Sequence, residues 1–268
     1  MHDKFPLAQM KADFYNKGKH HPSVKGETLM NVVRRIQIYG DSIMKGILLD
    51  NKNSRYYPQP PHNLNAFKEE FALDILNKSK FGCTIGKGYQ QLERQLERGL
   101  DCDMVLLEYG GNDCDYDWDK VSAAPEADHQ PHTPLKEFVA TYRRMLSKLK
   151  EHAVTPILMS LPPIDAEKYL SWITRAGLSR ENILKWLGDT QMIYRFQELY
   201  SHTVMKLAYE TKSLFVDVRA AFLDKHNYKD LLCDDGIHPN EEGHQLIKQV
   251  FSKFADAYLN GRPQIVLG

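Results

Sequence analysis

Arg35-Ile-Gln-Ile-Tyr-Gly-Asp-Ser42 alternates apolar and polar residues over its first five positions and then breaks at Gly40. That pattern predicts a β-strand running into a sharp turn, with Asp41 and Ser42 at the turn. The same signature recurs along the chain. Ala72-Leu-Asp-Ile-Leu76 reads as a second short strand ending at Asn77. Met104-Val-Leu-Leu-Glu-Tyr109 reads as a third, so apolar that burial on both faces is expected. Thr155 to Ser160 and Ser213 to Val218 supply a fourth and a fifth. Between them, helical spacing of apolar residues covers 65–71, 88–99 with Gly99 as the closing cap, 135–152, 193–211 and 241–259. The Pro- and Tyr-rich stretch from Ser54 to Pro61 reads as a loop. Strands alternating with helices predict an α/β fold, with right-handed crossovers and helices on both faces of a parallel sheet. In such sheets ligands bind beyond the carboxyl ends of the strands. Functional residues are therefore expected just after Tyr39, Leu76, Tyr109, Ser160 and Val218.

Length and charge narrow the function classes. A chain of 268 residues has room for one α/β domain with insertions. Residues 1–34 are polar, rich in Lys, His and Gly, and aperiodic, so they read as an N-terminal arm ahead of a single domain over 35–268. Two connections, 114–134 and 161–192, are too long for turns and are expected to be binding loops or a lid. Lys+Arg and Asp+Glu are both 35, which leaves no global field to draw the chain onto nucleic acid or anionic lipid. No apolar run approaches the roughly 20 residues that span a bilayer. The N-terminal stretch has no apolar core of a secretory signal, so the expected location is cytoplasmic. Cys83, Cys102, Cys114 and Cys233 form no metal-type spacing and read as reduced thiols.

Four segments carry chemistry. Ser42, on a strand-to-turn junction, is either a nucleophile or the cap of the next helix. After the second strand, Gly82 offers a backbone N–H to an oxyanion or is an ordinary turn glycine, with Gly86 and Gly88 as rivals. After the third strand, Asn112 in Gly110-Gly-Asn-Asp113 offers a side-chain amide donor or an Asx turn. In Asp235-Gly-Ile-His238 an aspartate three residues before a histidine can bond Nδ1–H and leave Nε2 free to accept a serine proton. Together they supply a nucleophile, a base, its orienter and oxyanion donors. Rivals fail: Asp113, Asp115, Asp117 and Asp119 start like an EF-hand, but Trp118 stands where Gly is needed and Ala124 where the closing Glu is needed. His129 and His132 lack the HExxH context, and no metal is expected.

These four blocks, in this order, resemble the GDSL/SGNH hydrolase family over about residues 35–258. The spacing of Asn77, Ser79, Gly82 and Thr84 selects Gly82 within the second block. The resemblance implies a flavodoxin-like three-layer α/β/α sandwich with a parallel five-stranded sheet. It also implies Ser42 as nucleophile, His238 as base and Asp235 as its partner, with Ser42, Gly82 and Asn112 forming the oxyanion hole. The expected activity is cofactor-free hydrolysis of a small-molecule carboxylic ester. Thioester or peptide hydrolysis and non-catalytic binding of acylated ligands are the alternatives, the last disfavoured by the intact Ser42, Asp235 and His238. Tyr116 and Trp118 in the first long connection, and Trp172 and Trp186 with the charged Glu167, Lys168 and Arg175 in the second, are expected to give the pocket an aromatic and polar mouth. Such a mouth suits short-acyl or acetyl esters of polar alcohols such as sugars, unless these tryptophans are the core of a small cap. Nothing in the sequence fixes an oligomeric state.

Overall fold

Five strands pair side by side in the order β4-β1-β5-β6-β7, all parallel: β1 (Arg34–Gly40), β4 (Leu73–Asn77), β5 (Met104–Glu108), β6 (Thr155–Met159) and β7 (Leu214–Val216). The computed structural model describes residues 34–50, 52–60 and 62–261, so the predicted N-terminal arm, Arg34 apart, lies outside the described residues. All five residues of β5 are buried. Side chains alternate across a strand, and the register Ile38↔Leu106↔Ile157 lines up one row on one face. On that face Ile38, Leu106 and Ile157 pack with Phe222, Leu246, Ile247, Val250 and Phe254. On the other face Tyr39, Val105, Leu107 and Leu158 pack with Leu92, Phe138, Tyr142, Met145 and Val204. Two cores separated by one sheet make the three-layer α/β/α sandwich, as expected. Each fully buried aliphatic or aromatic side chain adds about 1.5–3 kcal/mol by leaving water.

The helices of the two outer layers follow the predicted spacing. They are α2 (His62–Phe71), α3 (Ile85–Glu97), α5 (Leu135–Glu151), α8 (Gln191–Thr211) and α10 (Glu241–Leu259). α3 begins three residues before its predicted start, taking in Ile85, Gly86 and Lys87 ahead of Gly88. Gly88 is required there: a Cβ would lie 2.2 Å from the Tyr109 hydroxyl. The Ser54 to Pro61 reading is corrected. Arg55–Pro58 (β3) pairs antiparallel with Ile47–Asp50 (β2) in a separate two-stranded ribbon. A proline is tolerated at the end of an edge strand, and the buried Ile47, Leu48 and Leu49 anchor the ribbon.

The long connections carry helices of their own: α4 (Trp118–Ala123) in the first, α6 (Ala166–Thr174) and α7 (Arg180–Leu187) in the second. The backbone N–H of Ser179 donates to Ser122 Oγ at 2.8 Å, and Asn182 Nδ2 donates to the Ser122 carbonyl at 2.7 Å, joining the two connections. They share a third apolar core of Tyr116, Trp118, Val121, Tyr169, Leu170 and Ile183, with Trp186 and Phe196 against it. The short helices α1 (Ser42–Lys45) and α9 (Val218–Leu223) complete the fold, with one 3₁₀ turn at Tyr228–Leu231.

Candidate active site

Ser42 is the first residue of α1, placed there by Asp41, whose Oδ1 accepts the Ile43 N–H at 2.8 Å. The serine lies at the carboxyl end of β1, where the α/β topology places ligand sites. His238 comes from the loop between the 3₁₀ turn and α10. That loop is held shut by the Cys233 N–H donating to the His238 carbonyl at 2.8 Å. Asp235 Oδ1 accepts the backbone N–H groups of Ile237 and His238, each at 3.0 Å. Its Oδ2 lies 2.6 Å from His238 Nδ1, and His238 Nε2 lies 2.8 Å from Ser42 Oγ. A carboxylate accepts only, so Nδ1 carries the proton and Nε2 presents a lone pair to the serine. Burial pushes the Asp235 carboxyl up, but the bonds from the His238 ring and the two backbone N–H groups outweigh it and hold it below the usual carboxylate range. All three residues are buried.

Gly82 and Asn112 line the same cavity as Ser42 and His238, a space of about 290 Å³. Gly82 follows β4 with φ +65°, a left-handed conformation that turns the backbone there at no steric cost. Asn112 follows β5, and its Nδ2 donates to Asp41 Oδ2 at 2.8 Å. The structure thus brings Ser42, Gly82, Asn112 and His238 to one cavity, with Asp235 directly behind the histidine. Tyr116 and Trp118 also line it, yet both are buried. The Tyr116 ring packs on Trp186 and Phe196 at 4.8 and 5.1 Å between centroids, and Trp118 Nε1 donates to Asp115 Oδ1 at 2.8 Å. Trp118 and Trp186 are therefore part of the core of the small cap, while Trp172 is turned to the cavity.

Several lining residues escape the sequence reading. Tyr56, from the ribbon strand β3, stands 5.0 Å from the His238 ring and 6.2 Å from Trp172. Burial and the nearby Asp235 charge push its hydroxyl above the usual phenol range. Phe81 lies parallel to the His238 ring at 6.0 Å, while Arg175, which the sequence reading does place at the mouth, has its guanidinium 3.5 Å above Trp172. Leu161, Ile164, Ile193 and Phe196 form an apolar inner wall. Tyr56 has little signal in the sequence, because Arg55-Tyr-Tyr-Pro58 has no alternation and ends in proline.

The aspartates of the rejected EF-hand reading have other partners. Asp115 accepts from Tyr169 Oη at 2.7 Å, and Asp117 caps α4. Among the described residues no group of three or more His, Cys, Asp or Glu is placed to hold a metal ion. The thiols of Cys83, Cys102, Cys114 and Cys233 are free and pushed up by burial, Cys102 and Cys233 to about 11. Asp113, fully buried, accepts the Ile85 N–H at 2.9 Å and so caps α3, whose Thr84 side chain makes no such bond. Burial pushes its carboxyl up to about 7, against the bonds from Thr133 and Ile85. Unfolded aspartate titrates near 3.9, so between about pH 4 and 7 the native state holds a proton that the unfolded chain releases. This site's contribution is full below about pH 4 and is lost as pH rises through about 7. Asp113→Asn, which keeps an acceptor for Ile85, is expected to shrink the fall in Tm between pH 5 and pH 8 by a few degrees. Thermal melts at the two pH values check this, and an unchanged fall contradicts it.

The GDSL-like lipase/acylhydrolase family matches residues 38–246. Among curated relatives, an isoamyl acetate-hydrolyzing esterase of Saccharomyces cerevisiae is 26% identical over 188 residues, 69% of this chain and 70% of the relative. An acetylxylan esterase of Geobacillus stearothermophilus is 25% identical over 193 residues, 70% of this chain and 74% of the relative. Structures of the latter were solved as catalytic mutants of a serine, an aspartate and a histidine, the last two three positions apart. A solved α/β hydrolase from the metagenome of Lake Arreo superposes with a TM-score of 0.58 at 22% identity, covering 85% of this chain and 98% of that one. No described helix is long and apolar enough to cross a membrane. With four blocks converging on one cavity and most of its length matched, the chain belongs to the GDSL-like lipase/acylhydrolase family and is a carboxylic ester hydrolase.

Proposed function

We propose that the protein hydrolyses short-acyl esters of polar alcohols through an acyl-Ser42 intermediate. The observation that carries this reading is the unbroken line from Asp235 through His238 to Ser42, at 2.6 and 2.8 Å. His238 Nε2 takes the Ser42 hydroxyl proton as Oγ bonds to the acyl carbon, and the carbonyl electrons move onto oxygen. The backbone N–H groups of Ser42 and Gly82 and the free N–H of the Asn112 amide receive that oxyanion. Asp235 stabilises the imidazolium. The C–O bond to the alcohol then breaks as Nε2 returns its proton to the leaving oxygen. Water, deprotonated by the same nitrogen, attacks the acyl carbon and releases the acid and free Ser42. The catalytic serine, aspartate and histidine of the acetylxylan esterase, with the same three-residue spacing of the acid and base, support these assignments. The cytoplasmic setting and the single-domain reading of 35–268 stand as part of the same proposal.

Substrate choice follows from the cavity walls. A space of about 290 Å³ lies at the small end of ligand pockets, and its apolar inner wall suits a short acyl group better than a lipid chain. Tyr56, Trp172 and Arg175, which line the same cavity, offer ring faces and a cation to a polar alcohol such as a sugar. Two relatives named for hydrolysis of isoamyl acetate and of acetylxylan support acetyl as the acyl group. In a series of chromogenic esters, acetyl and butyryl are expected to turn over faster than decanoyl, and a reversed order contradicts the assignment. Trp172→Ala is expected to raise KM for acetylated xylose about 3- to 10-fold, from loss of a ring contact worth about 0.5–1.5 kcal/mol. KM for ethyl acetate serves as the control and is expected to stay within about twofold, since that alcohol is too small to use the ring.

A further inference from the structure

Behind the Asn112 amide lies a pair of carboxyl groups that the reaction above leaves without a task. Glu108, the last residue of β5, is completely buried, and Asp41 is 2% exposed. Glu108 Oε2 accepts the Asp41 backbone N–H at 3.2 Å, which sets the two acidic side chains beside each other, close enough for the charge of one to bear on the other. Gly40 leaves room for the Glu108 carboxyl, since a Cβ there would lie 2.9 Å from Oε2. Two buried carboxyl groups side by side do not both ionise at neutral pH. Asp41 has two donors that favour its charge, Ile43 N–H and Asn112 Nδ2, each at 2.8 Å. Glu108 Oε1 is buried with no partner among the described residues. The proton of the pair is therefore held by Glu108. Burial, then the Asp41 charge, hold the Glu108 carboxyl well above its usual range.

An amide has two N–H bonds. Asp41 fixes one of those on Asn112, and planarity then fixes the direction of the other. An oxyanion donor is effective only when it is aimed before the reaction. We propose that Glu108 is a positioning residue: its proton anchors the Asp41 carboxylate, which holds the Asn112 amide with its second N–H directed at the oxyanion site. A neutral Glu108 also limits this buried pair to one negative charge beside the developing oxyanion. The inference rests on Asn112 as an oxyanion donor, and its test separates the two ideas.

Wild type, Asn112→Ala, Glu108→Ala, Glu108→Gln and the double variant Glu108→Ala/Asn112→Ala are compared by kcat and KM on a chromogenic acetate. Asn112→Ala is expected to lower kcat about 10²- to 10³-fold. Glu108→Ala is expected to lower kcat about 10- to 100-fold with KM within about threefold, as for an interaction made only in the transition state. Glu108→Gln keeps an N–H donor for Asp41 and is expected to recover kcat to within about fivefold of wild type. In the Asn112→Ala background, Glu108→Ala is expected to cost no more than about twofold, because the group it aims is gone. Equal costs in both backgrounds, or a glutamine variant no better than alanine, would overturn the relay and leave the oxyanion assignment standing. An Asn112→Ala enzyme with wild-type kcat would overturn both. Glu108→Met, which fills the volume without a donor, takes the place of alanine in the cycle if that variant does not fold.

Discussion

Ser42→Ala is expected to lower kcat by at least about 10³ while the protein stays folded and still binds its ester. The covalent step disappears with Oγ, and what remains is the oxyanion donors and the oriented ester, which alone sustain a weak attack by water. Fold survival follows from the site's position. Among the described residues the Ser42 side chain bonds only His238 Nε2, and both residues line a cavity that water can enter, so the vacated imidazole is not stranded in apolar surroundings. The cost of one hydrogen bond exchanged for a bond to water is about 1 kcal/mol or less. Two measurements decide it. Steady-state turnover of a chromogenic acetate should fall by the stated factor, with Tm within a few degrees of wild type. A fluorophosphonate, which reacts only with an activated serine, should label the wild type at Ser42 and leave the variant unlabelled. More than a tenth of wild-type turnover in the variant would remove Ser42 from the mechanism and, with it, the acyl-serine intermediate.

The parts of this site that are readable in the sequence are those whose geometry is local. Asp235 and His238 are three residues apart on one loop, and the backbone N–H groups between them close on the same carboxylate that meets the ring. The five sheet strands are legible because each is a short apolar or alternating run, three of them punctuated by Gly or Asn, and the sheet rule then places Ser42, Gly82 and Asn112 at one edge. What stays hidden depends on contacts across the chain. Tyr56 belongs to a four-residue strand whose Arg-Tyr-Tyr-Pro sequence resembles a loop, and only its pairing with Ile47–Asp50 brings it to His238. Glu108 looks like a polar terminus on an apolar strand, and its role is visible only where it meets Asp41 from another strand's end. Trp118 and Trp186 are readable as aromatic residues in long connections. Whether they face substrate or each other depends on the two connections folding together, and they form part of the cap's own core. Residues that make a motif are thus separable from residues that aim it, because aiming is a tertiary property.

Asp235→Asn is expected to reduce kcat/KM about 10³- to 10⁴-fold with little loss of stability, the range set by removing the triad acid elsewhere. The substitution is nearly isosteric. An Asn carbonyl in the place of Oδ1 still accepts the N–H groups of Ile237 and His238, now at 3.0 Å, so the loop keeps its shape. The Nδ2 group then occupies the place of Oδ2, 2.6 Å from His238 Nδ1. Two donors cannot share that contact, so the ring moves its proton to Nε2 and offers Nδ1 as the acceptor. A protonated Nε2 faces Ser42 Oγ as a donor and cannot take the serine proton. The imidazolium also loses its buried counter-charge, which raises the barrier further. Because the carboxylate of Asp235 is held below the usual range by these same bonds, the loss should be present across the neutral and mildly acidic range. Ester turnover, fluorophosphonate labelling rate and a thermal melt distinguish this from simple unfolding. Slow labelling at Ser42 with a native melt is expected. Full labelling speed in Asp235→Asn would mean that His238 takes the serine proton without its aspartate, and Asp235 would then be a loop anchor alone.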